Sequence, residues 1–496
     1  MRCRRLVLVA LLLPALAGAQ ESLDDLDKAG GPAAESIKPP AVEANGYASN
    51  RFFGAYVDPA LTFVPTRDVP SIQELLEANV QLKIRFGDKA FFYADLSGVI
   101  QGGWLFYRDD GLGGREQVPD HDVAALKPFF ALAEAYVSYS PKPWLNLLVG
   151  KRRVVWGSGF AFNPTDLLNP PRDPTNPNFQ RAGAWLVRVE APFEKFTLTL
   201  AAAPQVLYQQ SGLPQAFLKY PGYAVDGRSP PDDDLHYLLA ARLYALIYNA
   251  DVNLFYFFSN QFQNGFRNKS RFGASFSRYF FNDYELHVEA LFQLGSSRLF
   301  PSHECARGLA CPDPSQQIAA SRLDQDTLYP KVLVGGRTQF ADESLLSIEY
   351  YYQADGYSDL EFEDFVRLLA RARPLLDAAG GQVGGLGGGG GSGAVPTNFS
   401  FEPLRRHYLI VSYNKPKIAD DWTVGATLIA GLRDLSGLFS PQLGWTPVEW
   451  LQLTLSGFIP IRGLPVGEAE AYGKKYSEYS LMPFDARVLF EARAFY

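Results

Sequence analysis

The chain has 496 residues, a net charge of −7 and 14% aromatic residues, made up of 36 Phe, 26 Tyr and 7 Trp. Because an acidic chain is a poor partner for nucleic acid, we expect no nucleic-acid function. Apart from a short run near the N-terminus, no stretch is apolar enough to form a membrane-spanning helix. For an exported chain, this composition leaves a large soluble β protein or a transmembrane β-barrel.

The N-terminus predicts export. Three arginines stand within residues 1–5, an apolar run covers residues 6–16, and Ala17-Gly18-Ala19 follows with small side chains. The apolar run is too short to span a bilayer, so a cleaved signal peptide over residues 1–19 is expected, with an uncleaved anchor as the alternative. Loss of the three arginines lowers the net charge from −7 to −10.

Two further regions are predicted after the signal peptide. Residues 20–49 are rich in Ala, Pro, Asp and Glu, which predicts a flexible periplasmic segment. From residue 50 the polarity alternates, with a first strand expected near residues 51–64. Between Ala78 and Phe86 the odd positions are polar and the even positions apolar, a period of two that indicates a strand with one wet face.

Hairpins of this kind recur to the end of the chain. Tight turns are predicted at 87–88, 141–143, 192–195, near 249, and at 282–283, 342–343 and 447. Long connections are predicted at 108–127, 158–181, 205–235, 296–326, 356–402 and 462–484. Short turns that alternate with long loops favour an all-β fold: a transmembrane, antiparallel, up-and-down β-barrel of about 18 strands, with 16 to 18 plausible. We expect residues 50–496 to form it around an aqueous lumen.

The last strand ends on aromatic residues. Residues 488–496 alternate in polarity as far as Phe495 and Tyr496. An aromatic ring at this point is favoured at the periplasmic interface of a membrane. The ending resembles the C-terminal assembly signal of bacterial outer-membrane proteins, and that resemblance implies the barrel assembly machinery, outer-membrane lipid and lipopolysaccharide as partners.

Charged residues on the polar face are the candidates for lining the lumen. They carry both signs and include Lys83, Arg85, Asp95, Glu134, Arg152, Arg188, Glu190, Arg242, Arg271, Arg337, Arg487, Glu491 and Arg493. One interpretation is that they form charge ladders that stabilise a wet wall. The other is that the cations among them, Lys83 to Arg271, form a stripe that guides anions.

Two connections carry special features. Residues 158–181 contain five prolines, so this segment is expected to be stiff, and it folds into the lumen as a constriction or stays outside. Its gating candidates are Asp166, Arg172, Asp173 and Arg181. Near residues 358–378, Ser358 and Glu361 have capping-box spacing and apolar residues follow at helical spacing, which predicts a short helix that plugs the lumen or caps the rim.

The cysteines and histidines that follow the signal peptide favour neither catalytic nor metal chemistry. Cys305 and Cys311 stand six residues apart in an exported chain, which favours a small disulfide loop. A metal site with His303 and Glu304 is the alternative, although this is an incomplete zinc set. Ser347 and His407 are isolated candidates for lipase-type chemistry, and no nucleophile motif is present, so we expect neither an enzyme nor a cofactor.

One stretch resembles a known class. Residues 134–170 contain Glu134-Ala135-Tyr136, then Val149-Gly150-Lys151-Arg152, Trp156-Gly157 and Asn163-Pro164-Thr165-Asp166. This series is similar to a segment of porin-like outer-membrane proteins, with Lys-Arg where those proteins have Arg-Gln. Alginate-export-type barrels share the design.

The resemblance implies a channel in the outer membrane of a Gram-negative bacterium, and the charged lumen predicts that small polar or anionic solutes pass through it. The alternatives are an exported sugar-binding or adhesin-type β protein and a polysaccharide-export barrel.

Overall fold

The fold is one closed ring of antiparallel strands. The structure is a computed structural model that describes residues 41–56, 72–104, 107–109, 115–117, 123–168, 183–204, 237–260, 262–263, 266–267, 270–281, 283–296, 298, 300–307, 321–322, 324, 326–367, 403–467, 469–471, 474–482 and 484–496. The predicted signal peptide and most of the predicted periplasmic segment lie outside this set. No helix within the described residues is long and apolar enough to cross a membrane.

Eighteen strands build the ring, which confirms the predicted strand number. In chain order they are β1 Val42–Tyr56, β2 Ile72–Arg85, β3 Ala90–Trp104, β4 Val123–Lys142, β5 Leu145–Arg152, β6 Ala184–Pro192, β7 Phe196–Pro204, β8 Tyr237–Ile247, β9 Ala250–Ser259, β10 Ser270–Phe280, β11 Tyr284–Leu294, β12 Leu328–Gln339, β13 Leu345–Gln353, β14 His407–Ile418, β15 Trp422–Gly431, β16 Gly437–Val448, β17 Leu451–Ile461 and β18 Ala486–Phe495. Each strand pairs antiparallel with its neighbours in the chain. The all-β up-and-down fold predicted from the alternation is therefore confirmed.

The first and last strands close the ring. β1 pairs with β2 on one side and with β18 on the other, in a register that sets Tyr47 opposite Phe495. Beyond β18, the backbone of Tyr496 exchanges hydrogen bonds with Gly46, at 3.0 and 3.1 Å. We call β18, β1 and β2 the closing seam. A closed ring leaves no unpaired sheet edge, which is the condition for a sheet to cross lipid.

The two ends of the barrel differ. Tight turns join the strands at one end, where the chain also enters β1 and leaves β18, while most connections at the other end are long. In outer-membrane barrels the tight turns face the periplasm and the long loops face outward. In the turn between β8 and β9, Tyr248 and Asn249 both have positive φ, as a two-residue hairpin turn requires.

Some predicted boundaries were wrong. β1 begins at Val42 and ends at Tyr56, so the barrel starts within the segment predicted to be flexible, nine residues before the predicted strand start at 51. The sequence does not distinguish this strand from the residues before it, because small residues interrupt the alternation of polarity there. The turn predicted at 447 lies at 449–450, and the turn at 419–421 was not predicted.

The outer face is apolar. Exposed side chains of this face, drawn from all around the ring, include Val80, Leu96, Val137, Val149, Val187, Leu200, Leu239, Leu254, Phe272, Leu286, Val334, Ile348, Leu443, Leu455, Val488 and Phe490. Exposed apolar side chains on a closed sheet are stable in lipid and costly in water. The ring is therefore a transmembrane barrel.

Short elements decorate the loops. Four two-stranded ribbons pair Tyr107–Asp109 with Arg115–Gln117, Phe262–Gln263 with Phe266–Arg267, Phe300–Pro301 with Ser321–Arg322, and Glu470–Ala471 with Lys474–Lys475. Helical turns occur at His303–Ala306, at 359–367 and, as a 3-10 helix, at Tyr479–Leu481.

Candidate functional site

The predicted lumen residues share one face of the barrel. The strand registers place each of them on the side opposite the exposed apolar residues; these are Lys83, Arg85, Asp95, Glu134, Arg152, Arg188, Glu190, Arg242, Arg271, Arg337, Arg487, Glu491 and Arg493. The barrel therefore has a charged inner wall and an apolar outer wall.

The cations of the predicted stripe lie at different depths. Arg85 is the last residue of β2, at the end with tight turns, and Arg271 is the second residue of β10, near the opposite end. At a rise of about 3.3 Å per residue and a tilt of roughly 40°, they differ in height by roughly 20 Å. Arg188 and Arg242 occupy intermediate positions in β6 and β8. The cations form a series along the barrel axis and not one ring.

Most of these charges have partners nearby on the wall. Arg85 binds Glu43 at 2.8 Å, and Arg242 donates from Nε to Asn253 Oδ1 at 2.8 Å. Arg188 lies 3.9 Å from Glu190 on its own strand. Both interpretations of these residues stay predictions, because a wall charge in a ladder also faces the lumen.

A dense charge cluster lies at the closing seam. Arg51 binds Glu77 at 3.1 Å on β2 and Glu491 at 2.8 Å on β18, and Glu491 also accepts from Arg493 at 2.8 Å. Three strands are thus joined through one guanidinium group. The sequence did not single out Arg51, because small residues interrupt the alternation of polarity around it, although its parity matches that of Tyr47.

A second polar network continues this cluster around the wall. Asn79 donates from Nδ2 to Asp95 at 2.6 Å and to Ser97 at 3.0 Å, and Ser97 donates to Glu77 at 2.7 Å. These side chains come from β2 and β3 and are largely buried. Polar side chains need partners when they leave water, and here each side chain is hydrogen-bonded to the next in the network.

The connection after β5 turns into the lumen. Residues 153–168, which we call the inward segment, pack their side chains onto the inner wall: the Trp156 ring lies 5.6 Å from the rings of Phe255 and Phe257 on β9. Farther along, the Phe162 ring lies 5.0 Å from Tyr351 on β13. The predicted alternative of a purely external loop does not hold for these residues.

Alanines on the inner wall leave space for the inward segment. Ala184, Ala201, Ala203 and Ala240 occupy inner positions of β6 to β8 and belong to the same buried cluster as Trp156. Large charged side chains at these positions would hold the segment off the wall. The sequence contains this feature as apolar residues at inner parity, a pattern that marks the wall of a barrel covered by a folded-in segment.

Two buried carboxylates hold the inward segment. Glu289 on β11 accepts hydrogen bonds from the backbone N–H groups of Ser158 and Gly159, the latter at 2.9 Å, and from Thr165 Oγ1 at 2.9 Å. Glu349 on β13 accepts from Phe160 N at 2.7 Å. Both carboxylates are almost fully buried, at 0% and 1% exposure. Hydrogen bonds from several backbone amides thus fix the segment to two strands of the wall, β11 and β13.

One of the four predicted gating residues belongs to the described part of the chain. Asp166 lies in the inward segment, is largely buried, and donates its backbone N–H to Asn163 O at 3.2 Å. Arg172, Asp173 and Arg181 lie outside the described residues, so their gating role stays a prediction.

A second segment also enters the barrel. Residues 476–482, which we call the mouth segment, lie in the connection between β17 and β18. Tyr479 and Met482 pack with Ile410, Ile429 and Leu438, which are inner-wall residues of β14 to β16. The loop end of the lumen is therefore lined on this side by folded-in loop and not by bare strand.

The predicted capping box is present. Ser358 N and Oγ both contact Glu361 Oε2, at 2.8 and 2.7 Å, and Glu361 N donates to Ser358 Oγ at 3.3 Å. The helix at 359–367 buries Phe362 and Val366 against the loop residues Phe300, Tyr357, Val466, Tyr476 and Leu481. These contacts favour a cap that rests on neighbouring loops over a plug.

Other predicted sites stay predictions. The side chains of Cys305 and Cys311 lie outside the described residues, so the disulfide is not addressed. Within the described residues no cluster of His, Cys, Asp and Glu could hold a metal ion. His303 contacts Asp364 at 2.7 Å, and His407 contacts Tyr350 Oη at 2.7 Å on the outer face.

Solved structures similar to this chain share little sequence with it. No known family matches the sequence, and no curated protein matches it. Similar solved structures include OccAB3 of Acinetobacter baumannii, at 8% identity and a TM-score of 0.47 over 92% of this chain and 99% of that chain. OpdL of Pseudomonas aeruginosa has 10% identity and a TM-score of 0.46 over 92% and 98%. OmpF of Salmonella typhi, in complex with daunomycin, has 9% and 0.40 over 92% and 97%.

At these identities no residue role is carried over from those proteins. The closed 18-stranded ring, its apolar outer face and its charged inner face give this chain the architecture of a porin-like outer-membrane barrel.

Proposed function

We propose that the protein is an outer-membrane channel through which small polar or anionic solutes diffuse. The observation that carries this proposal is the division of the ring into an apolar outer wall and a charged inner wall, with the inward segment fastened to the inner wall by Glu289 and Glu349. A barrel of this strand number is wide enough to hold water. A segment that narrows such a lumen sets the size of the solute that passes.

The preference for anions rests on the series of cations along the axis. Arg85, Arg188, Arg242 and Arg271 follow one another from the periplasmic end toward the loop end. A passing anion meets a cation at successive heights, which lowers the cost of removing it from bulk water. The neighbouring Glu43 and Glu190 weaken this field, so the expected preference is moderate.

Solute uptake into liposomes tests the proposal. Purified protein in vesicles is expected to let small sugars and small carboxylates enter, with rates that fall steeply as solute size increases. Vesicles that hold the folded barrel yet swell no faster than empty vesicles would contradict it. A vesicle assay also separates a channel from a sugar-binding or adhesin-type protein, which binds ligand without transport.

We propose no enzymatic activity. Ser347 lies on the inner wall of β13 and His407 on the outer face of β14, so the two side chains face opposite sides of the sheet. A nucleophile and its base must lie within hydrogen-bonding distance. Lipase activity that depended on His407 would contradict this part of the proposal. Lipopolysaccharide and the assembly machinery remain the partners we propose from the C-terminal residues.

A further inference from the structure

A buried carboxyl group fastens the mouth segment. Glu478 accepts hydrogen bonds from Leu404 N at 2.7 Å and from Tyr408 Oη at 2.6 Å, and its own N–H donates to Asp434 Oδ2 at 2.8 Å. The side chain thus joins the mouth segment to the approach to β14 and to β14 itself, and the backbone N–H joins it to the hairpin between β15 and β16. Its residue exposure is 3%.

The groups that face Glu478 carry charges of both signs. Asp434 stands on one side, with its carboxylate also bound by Ser436 N at 3.0 Å. Arg405 approaches from the chain before β14, but its guanidinium group contacts Asp359 and Ser358 O. Tyr408 and the neighbouring Tyr479 complete the surroundings.

These surroundings favour the neutral acid. Burial raises the pKa of Glu478 most, and the charge of Asp434 raises it further, whereas the hydrogen bonds from Tyr408 and Leu404 and the charge of Arg405 lower it. Together they raise the pKa from 4.5 to about 7. Ionisation at neutral pH therefore places a second negative charge beside Asp434 in a buried site.

Tyr408 connects this group to the inward segment. Its ring lies 5.9 Å from the Phe162 ring, while its hydroxyl donates to Glu478. Tyr408 is fully buried, at 0% exposure. Because one side chain supports both folded-in segments, a change at the mouth segment reaches the inward segment through a direct contact.

We propose that protonated Glu478 holds the mouth segment against the inner wall and that ionised Glu478 releases it, so that the channel is narrower in acid than in mildly alkaline solution. This proposal rests on the channel function proposed above. The docked arrangement is fully stabilised below the ordinary pKa of 4.5, and the stabilisation is lost as pH rises through about 7. Release above neutrality follows from that sign.

Hydrogen exchange measures the opening of the mouth segment independently of conductance. In detergent-solubilised protein, the amides of residues 476–482 are expected to exchange slowly at about pH 5 and faster toward about pH 9, beyond the intrinsic rise of exchange with pH. The variant Glu478→Gln keeps a neutral side chain of the same shape and is expected to lose this extra dependence. Glu449→Gln, in an exposed periplasmic turn, is the matched control and should behave as the wild type.

A second variant tests the direction in which the midpoint of the pH response moves. Tyr408→Phe removes a hydrogen bond that favours the ionised carboxylate, so the midpoint of the change is expected to move to higher pH. Identical pH profiles for the wild type, Glu478→Gln and Tyr408→Phe would overturn the proposal.

Conductance in planar bilayers then tests the link to the channel. The wild type is expected to conduct more above the midpoint than below it, and Glu478→Gln is expected to conduct equally at both. A mouth segment that responds to pH in a protein that never conducts would contradict the channel function and leave the Glu478 switch standing. A conducting protein whose mouth segment shows no dependence on pH would contradict the Glu478 switch and leave the channel function standing.

Discussion

Tyr496 donates a hydrogen bond from its phenol Oη to the backbone oxygen of Asn79, 2.6 Å away, and so reaches from the end of β18 across β1 to β2. The ring passes over Gly46, where an added Cβ would lie 2.5 Å from Oη. Glycine is needed at this position because any side chain would occupy the same space. The last residue of the chain thus fastens the closing seam.

Removal of this hydroxyl is expected to weaken the seam. Tyr496→Phe loses one hydrogen bond, which costs about 0.5–1.5 kcal/mol of folding free energy. Gly46→Ala is expected to cost more, about 1–3 kcal/mol, because its Cβ would overlap Asn79 O and the tyrosine ring. The measurement is the temperature at which the folded barrel unfolds in detergent. Tyr139→Phe on the outer face of β4 is the control, and a Tyr496→Phe variant as stable as that control would contradict the role of the hydroxyl.

Loss of a carboxylate that holds the inward segment is expected to widen the channel. Glu289→Ala leaves the amides of Ser158 and Gly159 without an acceptor, which costs about 1–3 kcal/mol for each buried group. The inward segment should then loosen and the single-channel conductance should rise.

The control for this variant lies on the same strand and face. Glu285→Ala removes a carboxylate that binds Arg337 at 3.6 Å and Ser277 at 3.1 Å on neighbouring strands. It is expected to lower stability and to leave conductance near the wild-type value. Equal conductance in both variants would show that Glu289 does not set the width of the lumen.

The sequence predicted the ring of strands but not the contacts of the segments that fold into its lumen. Alternation of polarity fixed which residues face inward, since a period of two is intrinsic to a strand. Strand register is set by contacts between strands, so the different heights of Arg85 and Arg271 were not predictable.

The role of the charged residues under the inward segment was not predictable either. Glu289 and Glu349 look like any other wall charges in the sequence, because their partners are backbone amides far away in the chain. The alanines at inner positions of β6 to β8 are the one local sign that something packs there. Glu478 gave no sign at all, because it lies in a loop without periodicity.

Neutralisation of wall cations is expected to reduce anion selectivity. Arg188→Gln and Arg242→Gln each remove a cation from the middle of the series, so the reversal potential in a salt gradient should shift toward a smaller preference for anions. The shift should shrink at high ionic strength because salt screens the field. Lys417→Gln, close to a periplasmic turn and outside the lumen, should leave the reversal potential unchanged. An equal shift for all three variants would contradict a role for the wall cations.

Acid is expected to loosen the entry to β12. Asp324 accepts hydrogen bonds from Thr327 N at 3.0 Å, Thr327 Oγ1 at 2.8 Å and Tyr329 Oη at 3.0 Å, and these bonds lower its pKa to about 2. A lowered pKa stabilises this loop above the ordinary value of 3.8, and the stabilisation is lost as pH falls through about 2. Amide exchange at Thr327 should accelerate, beyond its intrinsic change, over that range in the wild type.

The variant Asp324→Asn tests the cause of that change. Its amide group does not ionise, so the acid-dependent loosening at Thr327 should vanish. Asp326→Asn, an exposed neighbour, is the control and should keep the wild-type behaviour. Persistence of the acid effect in Asp324→Asn would assign it to another group.

Electrical recording from single barrels in a planar lipid bilayer tests the central claim most directly. The purified, folded barrel is expected to insert and to give discrete steps of current under an applied voltage. Folded barrels that enter the bilayer, as detected by an antibody or label, and carry no current at either polarity would contradict the account.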